Sequence, residues 1–382
     1  MRVLNVTGGV STNASAQTAQ RLEHYFAGHN ITCGIFESSN PKFQKIAEEK
    51  GIETTFFGPS VTDRFSSISL LPGIGYPKAA LHACREISSY DLVHVYGGPL
   101  FHGPVGTMIA MTSRCPLITR FNGYIPLPES EPKRTIVRTI TRGLLRSSGV
   151  VFNSYAQKND ILDTYDTNDT ENVRVISPGV DKEKFNPVTE INQSKIPKEV
   201  ASSTTVIGSV LTPRPVKRLD RAFDIIDNLA ESHDLTYAIL GDGENIDRYQ
   251  NLAAEKGISD YVYWAGHVDQ SELASWYSLF DATILTSEWE SFGMSITESY
   301  LCETPCVAFD VGGMSDQIID GNTGYLVDPY NTDAFTAALN KLITDEELSV
   351  RFGKKGRKYV QERFTLESVS EQYRSLLESL TR

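Results

Sequence analysis

The sequence predicts an α/β protein made of two similar domains, each a parallel β-sheet with helices on both faces. Short β-branched runs alternate with amphipathic helical stretches from one end of the chain to the other, which is the pattern of such sheets. The chain has 382 residues, more than one ordinary hydrophobic core accommodates. The alternation also stops in a polar stretch after Pro187 and restarts at Val206, so we expect a linker there with a domain on either side.

The predicted elements follow one another in a regular order. In the first half, apolar runs predict helices at 16–27 and 135–145, and strands at 3–6, 92–95, 117–119, 150–152 and 173–176. In the second half, strands are predicted at 206–208, 237–240, 262–264, 282–285, 306–309 and 324–327. We therefore expect domains at 1–190 and 191–361, followed by a helix over 362–382.

Composition and charge exclude several classes of protein. Hydrophobic residues make up 40% and charged residues 22% of the chain, which is typical of a globular protein. The formal net charge of −12 argues against a general nucleic-acid binder, because phosphate backbones attract positive surfaces. The 5 cysteines are scattered and lie mostly in apolar segments, as reduced buried thiols do, and no apolar stretch is long enough to span a membrane. These features predict a cytoplasmic protein.

The segment from Glu290 to Glu298 carries the clearest sign of a binding site. It reads Glu-Ser-Phe-Gly-Met-Ser-Ile-Thr-Glu and follows the strand predicted at 282–285. Gly293 would let backbone N–H groups approach a ligand, and the helix that begins there would point its positive end at a phosphate. Carboxylates in such a place accept hydrogen bonds from the hydroxyl groups of a sugar or a ribose. Two isolated glutamates would more simply be a surface residue and a helix cap.

A second candidate is the cationic loop that follows the strand predicted at 206–208. Arg214, Lys217 and Arg218 cluster there, directly before a predicted helix. A diphosphate leaving group gains negative charge as its bond to a sugar breaks, and a fixed arginine and lysine would stabilise that charge. The alternative is a solvated basic helix start, although cations are unfavourable at a helix N-terminus when no anion is bound.

Taken in order, these segments resemble the motifs of glycosyltransferase family 4, whose members include enzymes similar to glycogen synthase and to mannosyltransferases. Glu290 to Glu298 matches the family's E-x-F-G-x-x-x-x-E motif. The motifs that follow it in the family are present in the same order, as Thr304-Pro305-Cys306-Val307, Gly312-Gly313-Met314-Ser315-Asp316 and Thr323-Gly324-Tyr325-Leu326-Val327. The chain departs from the family at Asp316, which is usually Glu, and at Ser209, where an Arg usually follows the glycine of the cationic loop.

The resemblance implies a GT-B fold, in which two Rossmann-like domains face each other across a deep cleft. The first domain is implied to bind the acceptor and the second a nucleotide-sugar donor, and the helix over 362–382 is implied to cross back onto the first domain. It implies catalytic roles for Glu290 on the hydroxyls of the transferred sugar and for Arg214 and Lys217 on the diphosphate. Glu298 is implied to hold the ribose. The other donor-binding residues implied by the family motifs are Gly8, Gly9, Val10, Gly241, His267, Phe292, Gly293 and Met294.

The same resemblance places three residues of the first half on the acceptor side, namely His94, Tyr96 and Asn122. The segment around His94 resembles the family's d-v-v-H-x-H motif, with Tyr96 in place of the second His. Asn122 stands where the family often has a His that faces the reacting sugar. An amide can hydrogen-bond a sugar hydroxyl but cannot act as a general base near neutral pH. Retaining transfer in this fold is usually explained without such a base, because the departing phosphate takes the acceptor proton on the same face.

A basic stripe lies between residues 131 and 146. It consists of Lys133, Arg134, Arg138, Arg142 and Arg146, interleaved with apolar residues. On a helix this spacing gives one basic and one apolar face, which predicts contact with an anionic membrane surface or a phosphorylated acceptor. Alternatively, the helix packs by its aliphatic face while the arginines are solvated or paired with carboxylates.

As a whole, the sequence predicts a retaining glycosyltransferase that moves a hexose or N-acetylhexosamine from a UDP- or GDP-sugar to an acceptor hydroxyl on a glycan or a lipid-linked molecule. No cofactor or metal is expected, because the chain has no Asp-X-Asp pair and the loop cations would replace the ion. Two alternatives stay open. A non-hydrolysing nucleotide-sugar epimerase would need acid and base carboxylates near the sugar, and a catalytically silent partner subunit would have lost Glu290, Glu298 or the loop cations.

Overall fold

The chain folds into two compact units. The computed structural model describes residues 1–7, 15–35, 41–56, 90–96, 107, 110–111, 114–123, 125, 127–167, 171–188 and 196–380. The first unit is Met1–Gly179 together with Leu366–Arg382, and the second is Val180–Thr365.

The first unit is built on a parallel sheet of seven described strands. The strands are β1 (Arg2–Thr7), β2 (Asn30–Ile35), β3 (Glu53–Phe56), β4 (Leu92–Tyr96), β5 (Leu117–Phe121), β6 (Gly149–Phe152) and β7 (Val173–Val175). Their order across the sheet is β3-β2-β1-β4-β5-β6-β7. The described helices are α1 (Ser15–Tyr25), α2 (Pro41–Glu49), α3 (Glu131–Leu144), α4 (Tyr155–Thr164) and, from the end of the chain, α12 (Leu366–Leu380). Helix α12 packs on α1, where the Tyr373 ring stacks on Tyr25 with centroids 4.2 Å apart.

The second unit is a parallel sheet of six strands, ordered β10-β9-β8-β11-β12-β13. The strands are β8 (Thr205–Val210), β9 (Leu235–Leu240), β10 (Val262–Gly266), β11 (Ala282–Leu285), β12 (Cys306–Phe309) and β13 (Gly324–Val327). The helices are α5 (Lys198–Ala201), α6 (Leu219–Ala230), α7 (Ile246–Glu255), α8 (Leu273–Leu279), α9 (Met294–Leu301), α10 (Thr332–Thr344) and α11 (Glu346–Arg363). Single 3-10 turns lie at Pro215–Lys217, Ser259–Tyr261 and Gly312–Met314.

The second sheet is covered on both faces, as the near-continuous apolar runs of its strands require. Helices α6 and α10 pack on one face, where Phe223 and Phe335 are fully buried. Helices α8 and α9 pack on the other face through Tyr277 and Tyr300. The predicted α/β class, with two doubly wound units, is confirmed.

The unit boundaries differ from the predicted boundaries at 190 and 361. Residues 180–188 belong to the second unit, since the Val180 N–H donates to the Phe364 carbonyl at 2.8 Å and the Phe185 ring packs edge-on against Tyr277. Helix α11 continues to Arg363, and a separate helix starts at Leu366. The polar composition after Pro187 marks a connection but not the point at which packing changes from one core to the other.

In each sheet the strand order reverses beside the first strand, with β1 between β2 and β4 and β8 between β9 and β11. Ligands of doubly wound sheets bind at the carboxyl ends of the strands at this switch point. The loops after β1 and β4 lie outside the described residues, whereas the loops after β8 and β11 are described. In the part of the chain that the structure describes, no helix is both long and apolar enough to cross a membrane.

Candidate functional site

The cationic loop runs from the end of β8 to the start of α6. Pro215–Lys217 forms its single 3-10 turn, and Arg218 then adopts a left-handed backbone conformation with φ 49°. The Arg218 guanidinium binds the Asp220 carboxylate, with Nη2 and Oδ2 2.7 Å apart, and these hydrogen bonds hold the pKa of Asp220 below its usual value. Arg218 is thus paired within its own segment, and its Nη1 also lies 3.9 Å from the Glu288 carboxylate in the loop after β11.

Hydrogen bonds fasten the loop after β11 to the cationic loop. The Glu288 N–H donates to the Val216 carbonyl at 2.8 Å. The Thr286 hydroxyl donates to the carbonyls of Lys217 and Arg218, each at 3.1 Å. Because β8 and β11 are adjacent strands, these bonds hold the two loops side by side at the carboxyl edge of the sheet.

The Glu290 carboxylate forms an ion pair with the Lys217 ammonium across this junction. The same oxygen, Oε1, accepts a hydrogen bond from the Ser287 hydroxyl at 3.0 Å. The Glu290 and Lys217 side chains are only 13% and 22% exposed, so salt screens their attraction less than that of a surface pair. The contact brings together one residue from each of the two motifs that the sequence singles out.

The turn after β12 holds the Glu290 backbone. The Gly313 N–H donates to the Glu290 carbonyl at 2.9 Å. Gly312 has φ 52°, and a Cβ atom on it would stand 1.9 Å from that carbonyl oxygen. Only glycine allows this approach, so the Gly312–Gly313 pair of the family motif fixes where Glu290 lies.

Helix α9 begins at Met294, directly after the glycine of the Glu290 motif. Gly293 lies in the left-handed region with φ 80°, and a Cβ atom there would stand 2.6 Å from the Met314 methyl carbon. The buried Phe292 ring meets Phe364 edge-on, with centroids 5.4 Å apart. Within the described part of the chain, the N–H groups of residues 292–294 have no protein acceptor, as is usual at a helix N-terminus. They are donors that an anion could use.

Glu298 lies further along α9 and is 5% exposed. Its Oε2 accepts a hydrogen bond from the Tyr277 hydroxyl of α8 at 2.9 Å. Burial, reinforced by the Glu298 charge, raises the pKa of Tyr277 well above its usual value, so Tyr277 remains a donor. The tyrosine thereby fixes the carboxylate, and its contact with a ribose stays a prediction.

Two further donor-side candidates differ in their distance from the cationic loop. Gly241, at the exit of β9, has φ 137°, and a Cβ atom on it would stand 1.7 Å from the Leu211 carbonyl oxygen. It therefore lies against the start of that loop. His267 follows β10, two strands from β8, and its half-exposed ring lies 3.8 Å from the Asp269 carboxylate.

Arg214 is not brought into the ion pair. Its carbonyl accepts the Lys217 N–H at 2.9 Å and so opens the 3-10 turn, but its side chain is exposed. That side chain has no hydrogen-bond or ion-pair partner in the described part of the chain. Ser209, where the family usually has an arginine, is buried, and its hydroxyl donates to the Ile284 carbonyl at 2.8 Å. The serine therefore ties β8 to β11 and has no access to a ligand.

His94, predicted on the acceptor side, lies among buried residues of the first unit, and its role toward an acceptor stays a prediction. It is fully buried in β4, with Nδ1 2.7 Å from the Asn5 side-chain oxygen. Burial, together with the Arg120 charge, lowers the pKa of His94 to about 3, so the imidazole is neutral. Its Nε2 has no hydrogen-bond partner among the described residues. Tyr96, the last residue of β4, is also buried at 7% exposure.

Of the remaining candidates of the first unit, the structure describes Asn122. Asn122 follows β5 directly, and its Oδ1 accepts a hydrogen bond from the Arg120 Nε at 3.1 Å. Gly8, Gly9 and Val10 lie outside the described residues. Among the described residues, no cluster of His, Cys, Asp and Glu side chains could hold a metal ion.

The basic stripe lies on α3 and just beyond it, with Val137, Thr141 and Leu144 on the buried side. Arg134 binds Glu131 at 2.6 Å, and the Arg142 Nε donates to the Tyr165 carbonyl at 2.8 Å. The other three cations of the stripe are exposed, and they have no polar partner within the described residues. They are Lys133, Arg138 and Arg146. The packed aliphatic side with paired and solvent-exposed cations agrees with the second expectation, and contact with an anionic surface stays a prediction.

Sequence reasoning missed several residues that hold the site together. Ser287 and Tyr277 bind the two key glutamates but lie in segments without a pattern that singles them out. Gly312 was present in a recognised motif, but its close approach to the Glu290 backbone depends on the fold. The available signal was the glycine itself, because only a residue without a side chain allows the backbone to come this close to another segment.

Comparison with known families covers both units. The family Glycosyltransferase Family 4 matches residues 15–184, and the family Glycosyl transferases group 1 matches residues 191–359. Together these matches span most of the chain.

Individual proteins are similar over much of their length. The D-inositol 3-phosphate glycosyltransferase of Corynebacterium glutamicum is 27% identical over 70% of this chain and 68% of its own. The N-acetyl-alpha-D-glucosaminyl L-malate synthase of Bacillus anthracis is 25% identical over 97% of this chain and 93% of its own. The crystal structure of Anabaena HepE in complex with UDP has a TM-score of 0.82 at 18% identity, covering 99% of this chain and 100% of that one. The structural likeness supports the fold.

The burial of His94 predicts a specific acid sensitivity. The pKa of His94 is about 3 in the folded chain, below the ordinary value of 6.5. Unfolding therefore takes up a proton at any pH between these two values. The contribution of His94 is fully favourable above the unfolded pKa and is lost as the pH falls from there toward the folded pKa. By linkage this amounts to about 1.4 kcal/mol for each pH unit.

Urea unfolding of wild type and His94→Leu at about pH 7.5 and about pH 5 measures this loss of stability. The carboxylates contribute equally in both proteins, so the difference between the two losses reports His94. We expect the wild type to lose about 2 kcal/mol more than the variant between these conditions. Equal losses in the two proteins would mean that His94 is not held neutral by the fold.

Proposed function

Since this chain belongs to glycosyltransferase family 4 and is a glycosyltransferase, we propose that it transfers a hexose or N-acetylhexosamine from a nucleotide-diphospho-sugar to an acceptor hydroxyl, with retention and without a metal. The family assignment gives the class of reaction. The donor, the stereochemistry and the acceptor are our proposals, and they rest on the arrangement of charges and donors at the carboxyl edges of the two sheets.

The Lys217–Glu290 ion pair at the switch point is the observation that carries the proposal. A diphosphate that enters this junction offers Lys217 a more highly charged partner than Glu290. The lysine then stabilises the negative charge that the leaving group gains as its bond to the sugar breaks. The carboxylate released from the lysine accepts hydrogen bonds from the sugar hydroxyls, which orients the anomeric carbon.

The start of helix α9 supplies a second set of donors. The N–H groups of residues 292–294 lie immediately after Glu290 in the chain, at the positive end of the α9 dipole. An anion at this position would gain both hydrogen bonds and the dipole interaction. We assign these donors, Lys217 and the exposed Arg214 the role that a divalent cation plays in metal-dependent transferases.

The proposed nucleotide is UDP ahead of GDP. Anabaena HepE, which is similar to this chain over its whole length, has been solved with UDP. Glu298 is proposed to bind the ribose hydroxyls, because Tyr277 holds its carboxylate in one orientation. His267 and Gly241 are proposed to lie along the nucleotide, at the ends of β10 and β9.

Retention is proposed to proceed on one face of the sugar. Asn122 cannot remove a proton near neutral pH, so the departing phosphate is the base that takes the proton of the acceptor hydroxyl. In this step the bond between the anomeric carbon and an oxygen of the diphosphate breaks, and the bond to the acceptor oxygen forms on the same face. The proton of the acceptor hydroxyl passes to the departing diphosphate. Asn122 would then serve as a hydrogen-bonding group.

The acceptor is proposed to be anionic or to be presented at an anionic membrane surface. Two relatives of this chain carry names with anionic acceptors, D-inositol 3-phosphate and L-malate. Lys133 and Arg138 of α3 and Arg146 just beyond it are exposed cations on a chain whose net charge is −12, and Ile136 of the same helix is 46% exposed. A local cationic surface on an acidic protein attracts anions despite the overall charge.

Thermal unfolding with nucleotides tests the donor site. We expect UDP and UDP-sugars to raise the Tm of the wild type, with and without EDTA, by about the equivalent of 2.7 kcal/mol at a hundred times Kd. Glu298→Ala should lose this shift because the ribose loses its carboxylate. Tyr277→Phe removes the same internal hydrogen bond but keeps the carboxylate, so it should reduce the shift less than Glu298→Ala does. If no nucleotide stabilises the wild type, or if EDTA abolishes the shift, the proposed donor site is wrong.

Vesicle binding tests the cationic face of α3. Wild type should co-sediment with vesicles that contain anionic phospholipid, and salt should weaken the binding. The double variant Arg138→Glu/Arg146→Glu should bind at least about tenfold less, at roughly 1 kcal/mol for each cation near the surface. Arg351→Glu/Lys354→Glu makes the same charge change on exposed α11 positions and should bind like wild type. Equal losses of vesicle binding in both variants would show that only the overall charge matters. If wild type does not bind the vesicles, the membrane proposal is wrong.

A further inference from the structure

Arg120 is a buried cation at the carboxyl edge of the first sheet. It lies in β5, one residue before the strand ends, and its side chain is fully buried. Its guanidinium lies 5.0 Å from the centre of the Tyr25 ring. Among the described residues, no carboxylate is paired with it. A buried guanidinium costs several kcal/mol of desolvation, and an apolar side chain of similar size often gives equal stability, so its presence calls for another reason.

The hydrogen bonds of Arg120 join the carboxyl ends of three neighbouring strands. Its Nε donates to Oδ1 of Asn122 at 3.1 Å, directly after β5. Its Nη2 donates to Oδ1 of Asn153 at 2.8 Å, directly after β6, and to the Ile176 carbonyl at 3.0 Å, directly after β7. One rigid fork therefore fixes the positions of three strand exits that would otherwise be set by separate loops.

Gln157 closes these bonds into a ring. The Asn153 N–H donates to the Gln157 side-chain oxygen at 2.7 Å, and the Gln157 side-chain nitrogen donates to the Gly123 carbonyl at 3.1 Å. Since Gly123 follows Asn122 in the chain, the path returns to the residue that Arg120 binds. The ring is buried apart from its edge at Asn122 and Gly123, which are half-buried. A satisfied polar network of this kind holds one conformation, because any slip leaves a buried polar group unpaired.

A second anchor comes from the end of the chain. The Arg120 Nη1 donates to the Tyr373 hydroxyl of α12 at 2.9 Å, and Tyr373 stacks on Tyr25 of α1. The guanidinium is thus held from the side of the helices as well as from the strand exits. Its position does not depend on the ring alone.

We propose that Arg120 is a positioning residue, which acts through Asn122 by fixing the amide group and the loop that follows it. The amide oxygen accepts the hydrogen bond of the guanidinium, so Arg120 fixes the orientation of the whole amide group. The chemical consequence is an Asn122 side chain that is held in one orientation at the carboxyl edge of the first sheet. This inference rests on the proposed function for its role in catalysis, but the positioning itself can be measured without substrate.

Amide hydrogen exchange tests the positioning. The variants Arg120→Met and Gln157→Leu open the ring at different points, and the second leaves the buried cation in place. Both should speed exchange by at least about tenfold in peptides that cover residues 121–125 and 153–158, because local opening no longer breaks the network. Arg174→Met, on the exposed side of β7, replaces an arginine of the same sheet and should exchange like wild type. Unchanged exchange at both segments in a folded Gln157→Leu protein would overturn the proposal.

A catalytic measurement separates this inference from the proposed function. With UDP-glucose and UDP-N-acetylglucosamine as probes, release of UDP by Gln157→Leu should fall at least about tenfold in kcat, while UDP still raises its Tm as in wild type. The double variant Gln157→Leu/Asn122→Ala should have the same kcat as Asn122→Ala alone, since Gln157 is proposed to act through Asn122. Additive losses would contradict an action through Asn122. If wild type releases no UDP and binds none, the proposed function fails, and the exchange result still decides whether Arg120 positions the loop.

Discussion

The ion pair between Lys217 and Glu290 is the interaction on which the second unit's candidate site depends. The two residues lie on loops from adjacent strands, β8 and β11, so their contact needs the strand order that puts a first and a fourth strand side by side. Everything that surrounds the pair serves to hold it there. Thr286 and Glu288 fasten the loops together, Ser287 binds the carboxylate, and the turn at Gly312 holds the backbone of Glu290. A charge pair held this firmly is suited to exchanging one partner for an anionic ligand at little reorganisation cost.

The two units present different chemistry at their carboxyl edges. In the second unit, the edge has a paired cation and carboxylate together with the donors at the start of α9. In the first unit, the edge rests on a buried guanidinium whose hydrogen-bond partners are amide, hydroxyl and carbonyl groups, without a carboxylate among the described residues. The charged edge of the second unit suits a leaving group that changes its charge during reaction. The edge of the first unit, which rests on the buried guanidinium, suits the orientation of neutral hydroxyl groups, for which a fixed geometry matters more than charge.

Much of the fold could be predicted because its strands are buried on both faces and therefore read as short apolar runs. The predicted strands of the second unit correspond to β8–β13. Strands β2 and β3 were missed, since Asn30 and Thr32 interrupt the apolar pattern of β2 and the Glu-Thr-Thr-Phe sequence of β3 has almost none. The family motifs predicted which loops matter, because glycines and charged residues at strand exits are local features. They could not predict that Arg214 faces solvent, that His94 is a core residue, or that Tyr277 and Ser287 bind the two glutamates, because those facts depend on packing between distant segments.

The most direct test of the central claim is calorimetric titration of UDP and of UDP-glucose into wild type, Lys217→Met and Glu290→Gln. If Lys217 meets the diphosphate and Glu290 meets the sugar, Lys217→Met weakens both ligands by about tenfold or more, as the loss of a charge-assisted contact does. Glu290→Gln should weaken UDP-glucose but leave UDP unchanged or bound more tightly, because the lysine loses its internal competitor. If Glu290→Gln instead weakens UDP as much as Lys217→Met does, the pair acts as a structural unit, and the division of roles between diphosphate and sugar is wrong.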